Sequence, residues 1–377
     1  MNLQNWYRKQ GSVGIVGLIL ITFSMTVLAS CGNKPFMLGV SGQQKNSGNE
    51  PSPVVVQKQR GDSGRTFADW CRDKASLTPE VKYTVEELLK VARTTECDAA
   101  NQKLSTLTEL YLYENSISDI KPLESLTNLT RILLYKNQIS NIKPLESLTN
   151  LTFVNLDKNQ ISDLKPLQSL TNLTSLYLGS NKISNIKPLK SLTNLFDLSL
   201  RSNKISDIKP LESLTNLALL SLGNNQISDI KPLESLTKLV HLYLGSNKIS
   251  DIKPLKSLTN LTALLLDNNQ ISDLKPLQSL TNLSTLDLNN NQISDIKSLK
   301  SLTNVFSLRL DDNFIRDIKP LESLSQLTEL YLSDNLISDF KPLEPLRKLT
   351  EVYLSGNPIA PKTCPLKPES ICKWERR

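Results

Sequence analysis

One 22-residue phrase dominates the chain, as in the stretch from Leu217 to the Leu239 that opens the next phrase, LALLSLGNNQISDIKPLESLTK-L. Its Asn falls at 115, 137, 159, 181, 203, 225, 247, 269, 291, 313, 335 and 357, twelve occurrences in register with no insertion. A fixed period of this length excludes an ordinary globular arrangement. Each unit buries its apolar side on its neighbours, so the body grows in one direction and its two ends need covering. The 377 residues would otherwise suggest two average domains.

The consensus is L-x-x-L-x-L-x-x-N-x-I-S-D-I-K-P-L-x-S-L-T-N, and each letter has a physical job. Pairs such as Tyr111-Leu112, Ser221-Leu222 and Asp287-Leu288 alternate outward and inward residues, the period of a strand. Twelve such strands, paired in parallel at about 4.8 Å, give a sheet on the order of 55 Å long. The Asn turns inward after the strand, where its amide satisfies backbone groups of the coil. The second half, ISDIKPLESL, is too short for a full α-helix with turns. Its Asp and Pro favour tight turns, so 3₁₀ or irregular segments are expected on the convex side. The Asn-Leu-Thr triplets, such as Asn128-Leu129-Thr130, fit a glycosylation sequon, but here the repeat sets them.

The first eleven letters match the leucine-rich-repeat signature. The repeats resemble the 22-residue class found in internalins and in Sds22-like phosphatase regulators, over about two thirds of the chain. That resemblance implies a curved α/β-type solenoid with a parallel concave β-sheet, acting as a protein-binding scaffold through that sheet. The repeats are followed neither by an immunoglobulin-like segment nor by a cell-wall sorting signal of the kind many internalins carry. Host-cell adhesion is therefore not implied.

Ahead of the repeats, Arg8 and Lys9 precede an apolar run from about Val13 to Ala29, short for a membrane span. A charged start, an apolar core and small residues describe a secretory signal. The ending Leu28-Ala29-Ser30-Cys31 resembles the bacterial lipobox. In that family cleavage falls before the Cys, which then carries lipid. This makes Cys31 the expected acylated residue, residues 1–30 the lipoprotein signal and the membrane an expected partner through that lipid. An ordinary cleaved signal and an uncleaved anchor are the alternatives. Residues 31–65 are rich in Gly, Ser, Gln, Asn and Pro and read as a flexible tether.

Setting Cys31 aside leaves four Cys, in two near pairs at opposite ends of the array. An exported chain keeps disulfides, so Cys71–Cys97 and Cys364–Cys372 are the expected bridges. The spacings are not those of a zinc site. Residues 66–103 read as a helical cap, with Thr78-Pro79-Glu80 as one helix start and Thr84-Val85-Glu86-Glu87 as a capping box for another. The repeats occupy 104–359 and a second cap 360–377. Trp70 and Trp374 each sit near a cap Cys, and covering the open ends of the core is the favoured reading of both.

The net charge of +7 is mild, and eleven Lys recur at one phrase position from Lys121 to Lys341. A solvated ladder explains that balance better than a nucleic-acid surface, so nucleic acid is not an expected partner. The single His, His241, leaves no Cys–His pair or His-rich metal cage. Asp287 and Asp311 could pair as carboxylates, but nothing supplies a pocket or a third group, so neither an enzyme nor a cofactor is expected.

Function must then lie in the letters that vary at outward strand positions. An early group holds Tyr111, Tyr113, Leu133, Tyr135 and Phe153 with Arg131 and Lys136 among them. Aromatic and Arg residues are common interface anchors, though Tyr and Phe also simply suit strands. Tyr177 and Tyr243 stand mid-array, with His241 beside Tyr243. A late group is rich in acids and amides: Asp267, Asp287, Asn289, Asn290, Asp311, Asp312 and Asp334. A calcium site is the weaker reading of it, and a charge gradient along the sheet the more general one. Arg309 and Phe314 complete the candidate set for the concave face. Phe314 and Leu336 stand where Gln or Lys is usual, and the favoured expectation is that the second cap folds over them. An unidentified protein is the expected partner. A cell-wall glycan stacking on the Tyr column at 111, 177, 243, 331 and 353 is the alternative.

Overall fold

The computed structural model describes residues 64–359 and 363–375. The signal segment, Cys31 and nearly all of the tether lie outside them. Among the described residues no helix is long and apolar enough to cross a membrane.

Three helices come first: α1 Phe67–Arg72, α2 Pro79–Ala92 and α3 Cys97–Ser105. Thirteen strands then form one sheet in strict chain order, from β1 Glu109–Tyr111 through β6 Leu219–Ser221 and β7 His241–Tyr243 to β12 Glu351–Tyr353 and β13 Cys372–Lys373. Every neighbouring pair is parallel, and within the repeats the register advances by one phrase, as in Leu220↔Leu242. The thirteenth strand comes from the second cap, so the sheet is one strand longer than the repeat count alone gives. Its Cys372 and Lys373 pair with Val352 and Tyr353, extending the sheet over the last repeat.

Each repeat returns along the convex side through a 3₁₀ segment, such as Lys231–Ser235. Three of the constant letters hold it there. The Asp229 carboxylate accepts from the Lys231 N–H at 2.8 Å, which tightens the turn before Pro232. Ser235 Oγ donates to the Glu212 carbonyl of the preceding repeat at 3.1 Å, and Asn172 Nδ2, of the triplet Asn172-Leu173-Thr174, donates to the Thr149 carbonyl at 3.0 Å. The Asn of the sequon triplets is thus part of the stitching between repeats. Ser298, standing in place of Pro, leaves its 3₁₀ segment Lys297–Ser301 intact.

The core is a continuous column of Leu and Ile. One repeat alone contributes Leu217, Leu220, Leu222, Ile227, Ile230, Leu233 and Leu236, all essentially inaccessible to solvent. Beside it runs the Asn ladder. Asn225 Nδ2 donates to the Leu222 carbonyl of its own repeat at 2.9 Å and to Leu200 of the one before at 3.1 Å, and its Oδ1 accepts from the Ile205 N–H at 3.0 Å. The residue before each ladder Asn has a positive φ, from Glu114 at 58° to Asp334 at 53°, with Gly356 last at 72°. This turn aims the Asn inward.

Both ends are closed. Cys71–Cys97 joins α1 to α3 with Cα atoms 5.5 Å apart, and Cys364–Cys372 pins β13 with a separation of 5.8 Å. Trp70 is buried in the core cluster with the Arg65 guanidinium 4.1 Å above its ring. Trp374 packs edge-on against Phe340 at 6.0 Å. The helix plan differs from the sequence reading at one point. Thr84 starts no helix but sits in the middle of α2, buried, and its hydroxyl donates to the Asp119 carbonyl of the first repeat at 2.6 Å. A single helix serves because Val81, Val85, Leu88 and Leu89 present one apolar face to that repeat. The capping box is at α1 instead, where Thr66 and Asp69 bond reciprocally.

Candidate partner-binding surface

Each repeat offers the concave face two outward positions on its strand and a third just past the next inward Leu. At the early end these positions carry large side chains. In the first row Arg131 follows Glu109, at 3.8 Å, and covers the Phe153 ring with its guanidinium 4.0 Å from the centroid. Phe153 meets Tyr177 of the next repeat at 5.4 Å, and the Tyr177 hydroxyl bonds to Asp197. Along the third row Tyr113 and Tyr135 stack in parallel at 4.8 Å. Tyr111, 49% exposed, bonds through its hydroxyl to Glu109 and lies beside Leu133 in the pairing register. The structure therefore brings together Tyr111, Tyr113, Arg131, Leu133, Tyr135, Phe153 and Tyr177. The first four aromatic positions are not equivalent, however. Tyr135 is only 7% exposed, with Tyr113 stacked on its ring.

Past this cluster the floor drops to small residues, Gly179, Ser199, Ser221, Gly223 and Gly245. Two of these glycines are set by neighbours. A Cβ at Gly179 would press on Asp157 and Arg201, and one at Gly245 would overlap the Asp267 carboxylate. His241 and Tyr243 stand next to each other at 6.1 Å, and partial burial lowers the His241 pKa.

The late end repeats the early logic with acids added. Arg309 lies 4.6 Å from the Tyr331 ring and 3.9 Å from the Asp287 carboxylate, and Tyr331 stacks on Tyr353 at 4.7 Å. Asp287 is nearly buried. Burial pushes its carboxyl up to about 6, opposed by the Asn289 N–H that it accepts. The third-row acids are held in a chain: Asn289 Oδ1 accepts from the Asp311 N–H at 2.8 Å, and Asp311 Oδ1 accepts from the Ser333 N–H at 2.7 Å. Burial again pushes Asp311 up to about 7, with Asp312 and Asp287 adding to the rise. Among the described residues no group of three or more His, Cys, Asp or Glu could hold a metal ion.

Phe314 requires a correction. It follows the ladder Asn313, and its N–H donates to the Ile293 carbonyl at 2.9 Å, so it lies where the chain leaves the sheet and not on the concave strands. The second cap does not cover it: the ring stays 55% exposed, while Leu336 is half-buried. Sequence reasoning also missed residues. Phe196, 53% exposed, stands just before Asp197–Ser199 in a row held by Thr130, Thr152 and Thr174 in earlier repeats. The broken Thr row at Phe196, Ala218 and Val240 was the available signal. Asp157 was overlooked too. It caps the Gly179 N–H at 2.5 Å, and burial pushes it up to about 6.

A model built on paired leucine-rich repeats matches the chain in nine windows, from 105–147 to 325–367. The fold is also that of an internalin from Listeria monocytogenes, with 34% identity, a TM-score of 0.71, and coverage of 76% of this chain and 86% of that one. The chain belongs to the leucine-rich-repeat family, as an internalin-like member. Internalin C2 of the same organism is 35% identical and covers 54% of this chain and 91% of its own, with a TM-score of 0.51. A leucine-rich-repeat protein of Leptospira interrogans is 29% identical over 74% of each chain, with a TM-score of 0.67. No curated protein sequence matches at a significant level. As an internalin-like repeat protein, the chain is a scaffold of the protein-interaction type.

Proposed function

We propose that this chain is a lipid-anchored recognition scaffold outside the cytoplasm, binding a protein partner on its concave sheet without catalysis. The observation that carries the reading is the early cluster. Arg131, Phe153 and Tyr177 form one contiguous run across three strands, with Tyr111 and Tyr113 exposed beside them. Such rigid aromatic and Arg surfaces lose little side-chain freedom on docking and commonly supply interface anchors. The small floor that follows leaves room for a partner's own side chains. The lipobox-like Leu28-Ala29-Ser30-Cys31 supports the anchor and the location, and two disulfides in the body agree with export.

A glycan partner would need open aromatic faces. Tyr331 and Tyr353 turn theirs to each other and to Arg309, which favours a protein. The test is crosslinked capture from envelope extract with the full chain as bait. A specific polypeptide should be retained, lost with Arg131→Ala or Phe153→Ala, and kept with Phe314→Ala. Retention on cell-wall glycan alone, or capture indifferent to both early variants, would overturn the reading. Metabolic labelling with a radioactive fatty acid tests the anchor separately: the label should appear on the chain and disappear with Cys31→Ala.

A further inference from the structure

We propose that the late end of the concave face is a socket for one basic side chain, lysine or arginine, of the protein partner. The proposal rests on the concave-face reading above and names the chemistry of its second contact point. The socket is a cleft of about 290 Å³. That lies just below the roughly 300–1,000 Å³ of sites for drug-sized ligands, which suits a single side chain. Three carboxylates, Asp311, Asp312 and Asp334, line it, and among the described residues no basic side chain does. The nearby Arg309 is engaged with the Tyr331 ring and Asp287.

The remaining wall is built for an amphipathic guest. Tyr331 and Tyr353 stack on each other with their planes 6° apart, so their ring edges line the cleft beside the carboxylates, a contact the alkyl stem of a basic side chain can make. Ser355 also lines the cleft. It is 5% exposed, yet its Oγ has no hydrogen-bond partner. A buried hydroxyl without a partner is costly, and an incoming N–H donor would satisfy it. An acidic wall, aromatic edges and a buried, unsatisfied hydroxyl at the lining together match an alkylammonium or guanidinium group. The three carboxylates are not placed as metal ligands: among the described residues no group of three or more His, Cys, Asp or Glu could hold a metal ion.

The charges around Asp311 add a signature. Burial, Asp312 and Asp287 all hold its carboxyl up, while the Ser333 N–H and Arg309 pull it down, and the balance leaves it at about 7. A bound cation favours the ionised form. Binding therefore strengthens as pH rises through that value, by about tenfold between pH 6 and 8 if Asp311 dominates.

The test uses the full chain and labelled pentapeptides Gly-Gly-X-Gly-Gly, with X as Arg, Lys, citrulline or Glu, followed by fluorescence anisotropy. The Arg and Lys peptides should saturate at pH 8, with citrulline and Glu at least tenfold weaker. Asp334→Asn and Asp311→Asn should each weaken the Arg peptide at least fivefold, and Ser355→Ala about threefold. Asp267→Asn, on the same face but outside the cleft, should leave binding unchanged. Thermal melts of each variant separate lost binding from lost folding. Equal binding of citrulline and Arg would overturn the socket. So would an Asp267→Asn loss as large as that of Asp334→Asn, because a diffuse field would then suffice. If the Arg peptide fails while Arg131-dependent capture of an envelope protein persists, the socket falls and the concave-face reading stands. If the peptide binds and no protein is captured, the reading falls and the basic-group site stands.

Discussion

Asn225 shows how much one repeated letter can carry. Its side chain answers two carbonyls and one N–H that would otherwise be buried without partners. Asn225→Ala should cost about 2–4 kcal/mol, since each orphaned buried group costs on the order of 1–3 kcal/mol. Asn115, at the start of the array with no repeat strand before it to reach, should cost clearly less. Urea melts of the two variants decide this, and equal losses would contradict the ladder. Asp157 makes the opposite point. Its folded pKa of about 6 lies above the ordinary carboxylate value, so the native state holds its proton longer than the unfolded chain does. Stability contributed by this group is full below about pH 4 and declines as pH rises through 6. Asn289 accepts the same kind of neighbouring N–H without charge. Asp157→Asn should therefore stabilise the fold by on the order of 1–2 kcal/mol at pH 8 and by little at pH 4. Melting temperatures across that range check the sign. The ladder was readable from sequence because it recurs twelve times, whereas the pKa of Asp157 depends on burial in the space Gly179 leaves and on Arg201, Lys158 and Asp197 around it.

At the scale of elements, the caps matter most. α2 lays Val81, Val85 and Leu88 on the first repeat, and the Thr84 hydroxyl ties the two together. Replacing Cys71 and Cys97 by Ser should cost about 2–4 kcal/mol. Hydrogen exchange should then quicken at β1 and at Arg131–Leu133 before it does at β6 and β7, because each strand bonds only to its neighbours. Uniform acceleration along the sheet would contradict that order. The Cys pairs could be assigned from their positions at the two ends. The extra strand Cys372–Lys373 could not, since two residues carry no period, and only their seat beside Val352 makes them a strand. Thr84 misled for a related reason: a Thr three residues before Glu satisfies the local pattern of a cap, and packing on the first repeat overrides it.

For the whole molecule, stability should be close to a sum over identical steps. Deleting residues 215–236, one full phrase, should leave a folded rod with a single cooperative melt, because Leu220↔Leu242 is simply replaced by the next equivalent pair. Deleting one residue fewer should leave a single turn one residue longer than the rest in a rod that still folds but melts earlier, since the extra residue disturbs only that repeat and its two neighbours. Circular dichroism of the two chains gives the answer. The same additivity explains what could be known in advance. The period, the inward Leu and Ile, the ladder Asn and the turn-forming Asp determined the solenoid by themselves, because each contact is local or exactly one repeat away. The surface that recognises a partner was only partly determined. Sequence could name the outward residues, but the tertiary structure decided that Tyr135 is covered, that Phe314 leaves the sheet and that Ser355 is buried without a hydrogen-bond partner beside an acidic cleft. Those outcomes turn on which side chains stand in the flanking repeats, and no single phrase contains that information.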